Sequence, residues 1–120
     1  MRIVYEIKEL AQEFMTPPRI ERDGKDVLLK FDFEKEDGSY GMTGIRFSGC
    51  ADYRFTRERE IADPEVLSAY NAVAIAENSD WIKACGYDNM ESGYIHYKIF
   101  FDDFGLYEFI AASFIKLGEL

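Results

Sequence analysis

The stretch that decides the fold is the last third of the chain, Tyr94-Ile-His-Tyr-Lys-Ile-Phe-Phe101, Asp102-Asp-Phe-Gly105 and Leu106-Tyr-Glu-Phe-Ile-Ala-Ala-Ser-Phe114. Its two outer runs are rich in aromatic and β-branched residues, which favour strands. The polar segment between them ends in a glycine, as hairpin turns commonly do. The pattern therefore predicts a β-hairpin.

The register of this hairpin predicts which side chains face the core. A connection of Asp103-Phe104, or one from Asp102 to Gly105, places Ile99 opposite Glu108. Because side chains alternate along a strand, one face is then apolar except for Glu108. The other face is mixed and only partly covered, and it pairs Phe100 with Tyr107, Lys98 with Phe109, His96 with Ala111 and Tyr94 with Ser113.

The composition indicates one folded domain over residues 1–120. Hydrophobic residues make up 48% of the chain and aromatic residues 16%, which is typical of a globular protein. The 23 acidic residues outnumber the 14 Lys and Arg residues and give a net charge of −9. This balance excludes a nucleic-acid backbone as partner and permits a basic protein partner. The simpler interpretation is an acidic surface that keeps the protein soluble.

The two cysteines and the lack of a long apolar run indicate a compartment. Cys50 and Cys85 lie in ordinary segments and are expected to be free, small, buried thiols. No apolar run approaches the roughly 18–20 residues of a membrane span, and no signal segment opens the chain. We therefore expect a cytoplasmic protein that does not enter a membrane.

The first half of the chain predicts one short helix and several strands. Ile3, Tyr5 and Ile7 alternate as in a strand, and the following apolar residues as far as Phe14 have helical spacing that ends at Pro17-Pro18.

A hairpin follows, with two possible turns. A two-residue turn at Asp37-Gly38 would set Leu29 against Arg46. A three-residue turn with Gly38 in the left-handed conformation sets Leu29 against Ile45 and Val27 against Phe47, and it is preferred because it unites the apolar faces.

The next strand is unusually long, from Gly41 to Thr56, and we expect it to bend at Gly49. Its outward row, Arg46, Asp52 and Arg54, carries opposite charges and is interpreted as a solvated face.

The second half predicts two short helices. Asp63-Pro64-Glu65 has the residues of a helix start. Residues 72–76 either form a strand, which we favour, or continue that helix to Glu77. Ser79 or Asn78 then caps a helix that contains Trp81, and Gly86 closes it. The sum is an α+β fold, with a strongly curved, mainly antiparallel sheet of five to six strands and two or three short helices.

The sequence offers little catalytic chemistry. His96 is the single histidine, so any Ser-His-Asp or Cys-His arrangement would have to use it, and packing is the more common role. One histidine and two separated cysteines do not form a usual zinc site, and no glycine-rich phosphate loop is present. We predict no catalytic residues, no metal and no cofactor.

The hairpin supplies the candidate binding residues. Glu108 is unusual because the register buries its carboxylate beside Ile99, where desolvation could raise its pKa unless it pairs with a base. A mixed face with tyrosines in an acidic surround is typical of a protein-binding surface. The predicted binding residues are Tyr94, His96, Lys98, Tyr107 and Glu108.

Four segments resemble small, acidic, uncharacterised bacterial proteins of the immunity-protein type, which are found beside toxins. The segments are Ile45-Arg-Phe-Ser-Gly49, Asn78-Ser-Asp-Trp-Ile82, His96-Tyr-Lys-Ile-Phe-Phe101 and Tyr107-Glu-Phe-Ile-Ala111. They cover 21 of the 120 residues. The resemblance implies a cytoplasmic, non-enzymatic protein that binds and neutralises a partner, and it implies no particular site residues.

Three functions follow as hypotheses. The first is a non-enzymatic protein-binding module, of the immunity type, whose partner is basic. The second is a small ligand-binding or enzymatic curved-sheet domain that uses Glu108 in a cavity. The third is a structural subunit that forms a homodimer through a sheet edge or the mixed hairpin face.

Overall fold

The computed structural model describes residues 1–11, 13–61, 70–88 and 93–120. Within these ranges the chain is 53% strand and 7% helix. The strands are β1 (Arg2–Glu6), β2 (Arg19–Asp23), β3 (Asp26–Glu34), β4 (Tyr40–Ser48), β5 (Asp52–Arg57), β6 (Ala72–Ile75), β7 (Ile95–Phe101), β8 (Gly105–Ala111) and β9 (Ser113–Lys116). A 3₁₀ turn spans Glu58–Glu60, and one short helix, α1, spans Asp80–Ala84.

These strands form two antiparallel sheets that pack face to face. One sheet has the order β1-β6-β7-β8-β5 and the other has the order β2-β3-β4-β9. Phe47 of β4 stacks on Phe109 of β8 with ring centroids 3.9 Å apart. Phe31 of β3 meets Phe101 of β7 at 5.2 Å. The core therefore lies between the sheets and is largely aromatic.

The predicted α+β fold with a single curved sheet of five to six strands is wrong. Two runs that were interpreted as single strands each change sheet in the middle. The first run breaks at Gly49, between β4 and β5, and the second breaks at Ala112, between β8 and β9. Each break adds a strand, and the two halves of each run belong to opposite sheets.

The two sheet changes occur at one corner. The amide of Ala51 donates to the carbonyl of Ile110 at 2.8 Å, and the amide of Ala112 donates to the carbonyl of Ser48 at 3.0 Å. Gly49 has φ +58°, a left-handed conformation that glycine adopts without steric cost. The predicted bend at Gly49 is thus present, and it carries the chain from one sheet into the other, as strands do at sandwich corners.

The preferred register of the β3–β4 hairpin is confirmed. Leu29 pairs with Ile45 and Val27 pairs with Phe47. The amide of Gly38 donates to the carbonyl of Lys35 at 2.9 Å, and Gly38 has φ +85°.

The predicted register of the C-terminal hairpin is wrong by one residue. Tyr97 pairs with Phe109 and Lys98 pairs with Glu108. Phe101 pairs with Gly105 instead of Leu106, so three residues, 102–104, separate the paired residues instead of four. Gly105 has φ +145°, and a Cβ there would meet the carbonyl oxygen of Thr56 at 2.2 Å, so only glycine fits. A slip by one residue exchanges the faces of a strand, and it moves Glu108 out of the core face.

The helix expected over residues 7–14 is absent from the described part of that segment. The segment is irregular and is held by Asp32, whose carboxylate accepts hydrogen bonds from the amides of Met15 at 2.6 Å and Thr16 at 3.1 Å. Phe14 closes the end of the core against Phe101 at 5.4 Å. The apolar residues spaced as in a helix are therefore residues of an irregular segment that pack against the core.

The expectations for the second half fare better. Residues 72–75 form β6, as favoured, and the hydroxyl of Ser79 caps α1 by accepting from the amide of Ile82 at 3.2 Å. Gly86 follows the helix with φ +75°. The expected helix start at Asp63 lies outside the described residues.

Both cysteines are free, but Cys85 is exposed rather than buried. Over the described residues, no helix is long and apolar enough to cross a membrane.

Candidate functional site

A row of charged side chains crosses the outer face of the five-stranded sheet. The observed registers align Lys98 of β7, Glu108 of β8 and Arg54 of β5 on neighbouring strands. His96 lies two residues before Lys98 on the same face of β7. Helix α1 covers part of this face through Ser79 and Trp81. We refer to these six residues (Arg54, Ser79, Trp81, His96, Lys98 and Glu108) as the outer-face network.

Glu108 is the centre of the outer-face network. Its side chain is 3% exposed, and it accepts from Arg54 Nε at 2.7 Å and Arg54 Nη2 at 3.2 Å. Its Oε1 also lies 2.8 Å from His96 Nε2 and 4.0 Å from Lys98 Nζ. Burial alone would raise the pKa of Glu108, but the hydrogen bonds from His96 and Arg54 and the charge of Arg54 outweigh it and hold the pKa at about 2. Glu108 therefore stays ionised although it is buried.

His96 connects Glu108 to helix α1. Its Nδ1 lies 2.7 Å from Ser79 Oγ, and its ring meets the edge of Trp81 at 5.1 Å between centroids. The guanidinium of Arg54 stacks over Trp81 at 4.0 Å from the ring centroid. The helix is thus fixed on the sheet by one hydrogen bond and by aromatic and cation–π contacts.

Two pockets open beside the turn that leads into α1, and Ser79 and His96 line both of them. The first is about 260 Å³ and its wall is largely apolar. The second is about 280 Å³ and is lined by charged side chains, including Arg54 and Lys98. The polar groups of the network are therefore reached from outside at Ser79.

Three of the five predicted binding residues come together, and two do not join them. His96, Lys98 and Glu108 belong to the outer-face network. Tyr94 lies nearby, where it lines the largely apolar pocket. Tyr107 lies on the inner face, where its hydroxyl donates to the carbonyl of Pro18 at 3.4 Å. Its burial raises its pKa to about 12.

Sequence reasoning missed Arg54, Ser79 and Trp81 as members of the network. Arg54 was assigned to a solvated face, because the pattern of its own strand shows only alternation. Its pairing with Glu108 depends on β5 joining β8, which requires the sheet change at Gly49. Ser79 and Trp81 were interpreted only as parts of a helix.

A second group of acidic residues lies at the end of the molecule that carries the β7–β8 turn. A recess of about 300 Å³ opens there, and its apolar floor includes Phe14 and Phe104, whose rings are 5.3 Å apart. We call it the acidic recess, and its lining is Leu10, Ala11, Glu13, Phe14, Asn71, Asp102, Asp103 and Phe104.

The carboxylates at the acidic recess lack the partners that Glu108 has. Carboxylate oxygens of Glu58, Asp102 and Asp103 lie within 4.8 Å of one another. Among the described residues, no other three His, Cys, Asp or Glu side chains come close enough to share a metal ion. The amide of Glu58 donates to the carbonyl of Phe104 at 3.3 Å, which fixes the 3₁₀ turn beside the hairpin tip. Arg57 and Arg59 line an adjoining groove. In the described parts of the chain, none of the three carboxylates forms an ion pair.

The two sites differ in what they can do. The outer-face network aligns a hydroxyl, an imidazole and a carboxylate, whereas the acidic recess presents unpaired negative charge around an apolar floor.

Comparison with protein-family models, with curated proteins and with solved structures found no match for this chain.

Proposed function

We propose that this protein is a binding module whose partner is a basic protein that docks at the acidic recess. The observation that carries the proposal is the set of carboxylates at Glu13, Asp102 and Asp103, which surround the aromatic floor without ion-pair partners in the described chain. The carboxylate oxygens of Asp102 and Asp103 lie within 4.8 Å of each other, so these charges repel one another, and a cation from a partner relieves that repulsion.

The recess suits a lysine or arginine side chain. Such side chains lay their aliphatic stems along apolar surface and keep the charged head in a polar surround. Phe14 and Phe104 supply the apolar surface, and the carboxylates at the rim supply the acceptors. A charge-assisted hydrogen bond between a guanidinium and a carboxylate is about twice as strong as a neutral one.

The net charge supports the same partner. A charge of −9 attracts a basic protein over distances well beyond contact and speeds association at low salt. An inhibitor of the immunity type is the specific form of this proposal, and the resemblance noted above supports it.

The test compares two triple variants of equal charge in a pull-down from the source cell. Glu13→Gln/Asp102→Asn/Asp103→Asn neutralises the recess, and Glu6→Gln/Glu34→Gln/Glu36→Gln removes the same charge from exposed sites elsewhere. A basic protein should be retained by the wild type and by the second variant, and lost by the first. Equal retention by the two variants, or recovery of no basic protein, would overturn the proposal.

A homodimer is the second candidate, because one sheet edge carries exposed aromatic side chains. β5 is the last strand of its sheet, and Tyr53 and Phe55 on it are 39% and 45% exposed. Unpaired edge strands are templates for pairing with another chain. Sedimentation velocity should show a dimer that Phe55→Lys dissociates. A monomer at high wild-type concentration would exclude it.

A further inference from the structure

The outer-face network contains a continuous line of three functional groups. Ser79 Oγ lies 2.7 Å from His96 Nδ1, and His96 Nε2 lies 2.8 Å from Glu108 Oε1. A hydroxyl bonded to an imidazole that is itself oriented by a carboxylate is the geometric pattern of nucleophilic catalysis, whichever ring nitrogen meets the hydroxyl. From this geometry we propose that Ser79, with His96 as its general base and Glu108 as a positioning residue, hydrolyses short-chain carboxylic esters. This inference is independent of the proposed binding function, which uses the acidic recess.

The burial of the three groups suits these roles. His96 is 4% exposed, and Glu108 is buried behind it, whereas Ser79 is only half-buried and lines both pockets. The group that would attack a substrate is therefore the accessible one, and the groups that support it are shielded from water.

The backbone around Ser79 presents the hydroxyl at a sharp turn. Strand β6 ends at Ile75 and α1 begins at Asp80, so that Ser79 stands between a strand and a helix. Asn78, directly before it, has φ +54°, a left-handed conformation that asparagine tolerates better than most residues, and it turns the chain into the helix.

Arg54 supports the relay by holding Glu108 as a carboxylate. Two hydrogen bonds from Arg54 leave Oε1 to accept from His96 Nε2 as well. With Nε2–H donating to Glu108, the lone pair of Nδ1 accepts the hydroxyl proton of Ser79. The orientation of the imidazole is thus determined by its partners.

The two pockets fit the two parts of an ester. The largely apolar one has side chains that suit a short acyl chain, namely Ile75, Ile82, Tyr94 and Ile95. The other is lined by side chains of both charges, Arg54, Lys98, Glu77 and Asp80, and it suits the more polar alcohol part of the ester.

The reaction balances with water as the only co-reactant. Ser79 Oγ forms a bond to the carbonyl carbon while its proton passes to His96 Nδ1. The carbon–oxygen bond to the leaving group then breaks, and the alcohol departs with that proton. Water adds to the acyl-serine with His96 again accepting a proton, which releases the carboxylic acid and restores Ser79.

The test uses p-nitrophenyl butyrate as substrate and a fluorophosphonate as a covalent label. Ser79→Asn is the main variant because asparagine is a good helix N-cap, so α1 keeps its cap while the nucleophile is lost. Ser113→Ala removes an exposed serine in β9 and serves as the control. We expect wild type and control to hydrolyse the ester at equal rates, and Ser79→Asn to be slower by at least roughly tenfold. Mass spectrometry should place the label on Ser79.

The positioning role of Glu108 has a separate readout. Glu108→Gln should lower the rate at which folded protein is labelled on Ser79, and Glu108→Asp, which keeps the carboxylate, should restore part of that rate. A variant that had only lost stability would be labelled at the wild-type rate per folded molecule. Absence of label on Ser79 in the wild type, or equal ester hydrolysis by wild type and Ser79→Asn, would overturn the proposal.

Discussion

The outer-face network and the acidic recess are both built around carboxylates, yet their surroundings are opposite. Glu108 is buried and is contacted by Arg54, His96 and Lys98. Asp102 and Asp103 are exposed, and they form no ion pair with any described residue. A buried carboxylate without partners would be strongly destabilising in its ionised form, and the contacts within the network remove that cost. An exposed carboxylate has no such requirement and can await a partner from outside.

The difference separates a role in folding from a role in recognition. Removal of Glu108 should cost stability, whereas removal of the acids at the recess should cost binding and leave stability unchanged. Four measurements test this division, and they are given in order of expected effect.

The largest effect is expected for Glu108→Gln. Breaking a fully buried ion pair typically costs about 3–5 kcal/mol. Arg54 is 47% exposed, so water solvates its charge in the variant, and we expect a loss at the lower end, about 3 kcal/mol. Urea denaturation measures the free energy of unfolding. The control is Glu77→Gln, which removes the exposed pair with Arg2 and should cost at most about 1 kcal/mol. Equal losses in the free energy of unfolding for the two variants would show that the buried Glu108 contributes no more to stability than an exposed glutamate.

The acid limb of stability should report the same group. The pKa of Glu108 is lowered from 4.5 to about 2, so its contribution is full above pH 4.5 and is lost as the pH falls toward 2. A lowering of this size corresponds to about 3 kcal/mol at neutral pH. The unfolding free energy of wild type minus that of Glu108→Gln should therefore shrink as the pH falls through this window. A pH-independent difference for Glu108→Gln would contradict the assignment.

Arg54→Lys should have a smaller effect of about 1–2 kcal/mol. Lysine keeps the charge but loses the two-pronged hydrogen bond to Glu108 and the planar stack on Trp81. Thermal or urea unfolding measures the loss. Arg57→Lys is the matched control, since Arg57 lies on the same strand, is exposed and forms no ion pair within the described chain. A loss as large for the control would mean that β5 simply prefers arginine.

The smallest effect on stability is expected for Asp102→Asn/Asp103→Asn. Surface changes of this kind stay within about 0.5 kcal/mol, and relief of repulsion favours a slight gain. Asparagine also tolerates the left-handed conformation of Asp103, where φ is +69°. Urea denaturation beside wild type measures the change. A loss of stability comparable to that of Glu108→Gln would show that these acids are needed for the stability of the fold, which would contradict the division.

The sequence predicted local pairing well where the turn residues and the apolar pattern agreed. Asp37-Gly38 and the apolar residues on both sides allowed one turn that united the apolar faces, and this turn is the observed one. At Asp102 to Gly105 the same reasoning failed. Both two-residue and three-residue turns leave aromatic residues on either face there, so hydrophobicity alone could not choose between them.

The sites themselves depend on contacts that no local pattern shows. Glu108 meets Arg54 only because β5 leaves the sheet of β4 and joins β8. The acids of the recess come from three separate segments, at Glu13, Glu58 and Asp102-Asp103. The sequence did indicate an unusual environment for Glu108 and a basic partner as a possibility, but it pointed to none of the acids of the recess.

The corner at Gly49 and Ala112 has a consequence for how the chain reaches this fold. Strands β4 and β5 pair there with β9 and β8, so one two-stranded ribbon runs through both sheets and joins distant parts of the chain. Pairings between residues far apart in sequence carry a large loop-closure entropy before any contact is gained. We therefore expect folding on a timescale of roughly milliseconds to seconds, as in other all-β domains. The rate-limiting step would close this ribbon, and neither sheet could complete its core before it.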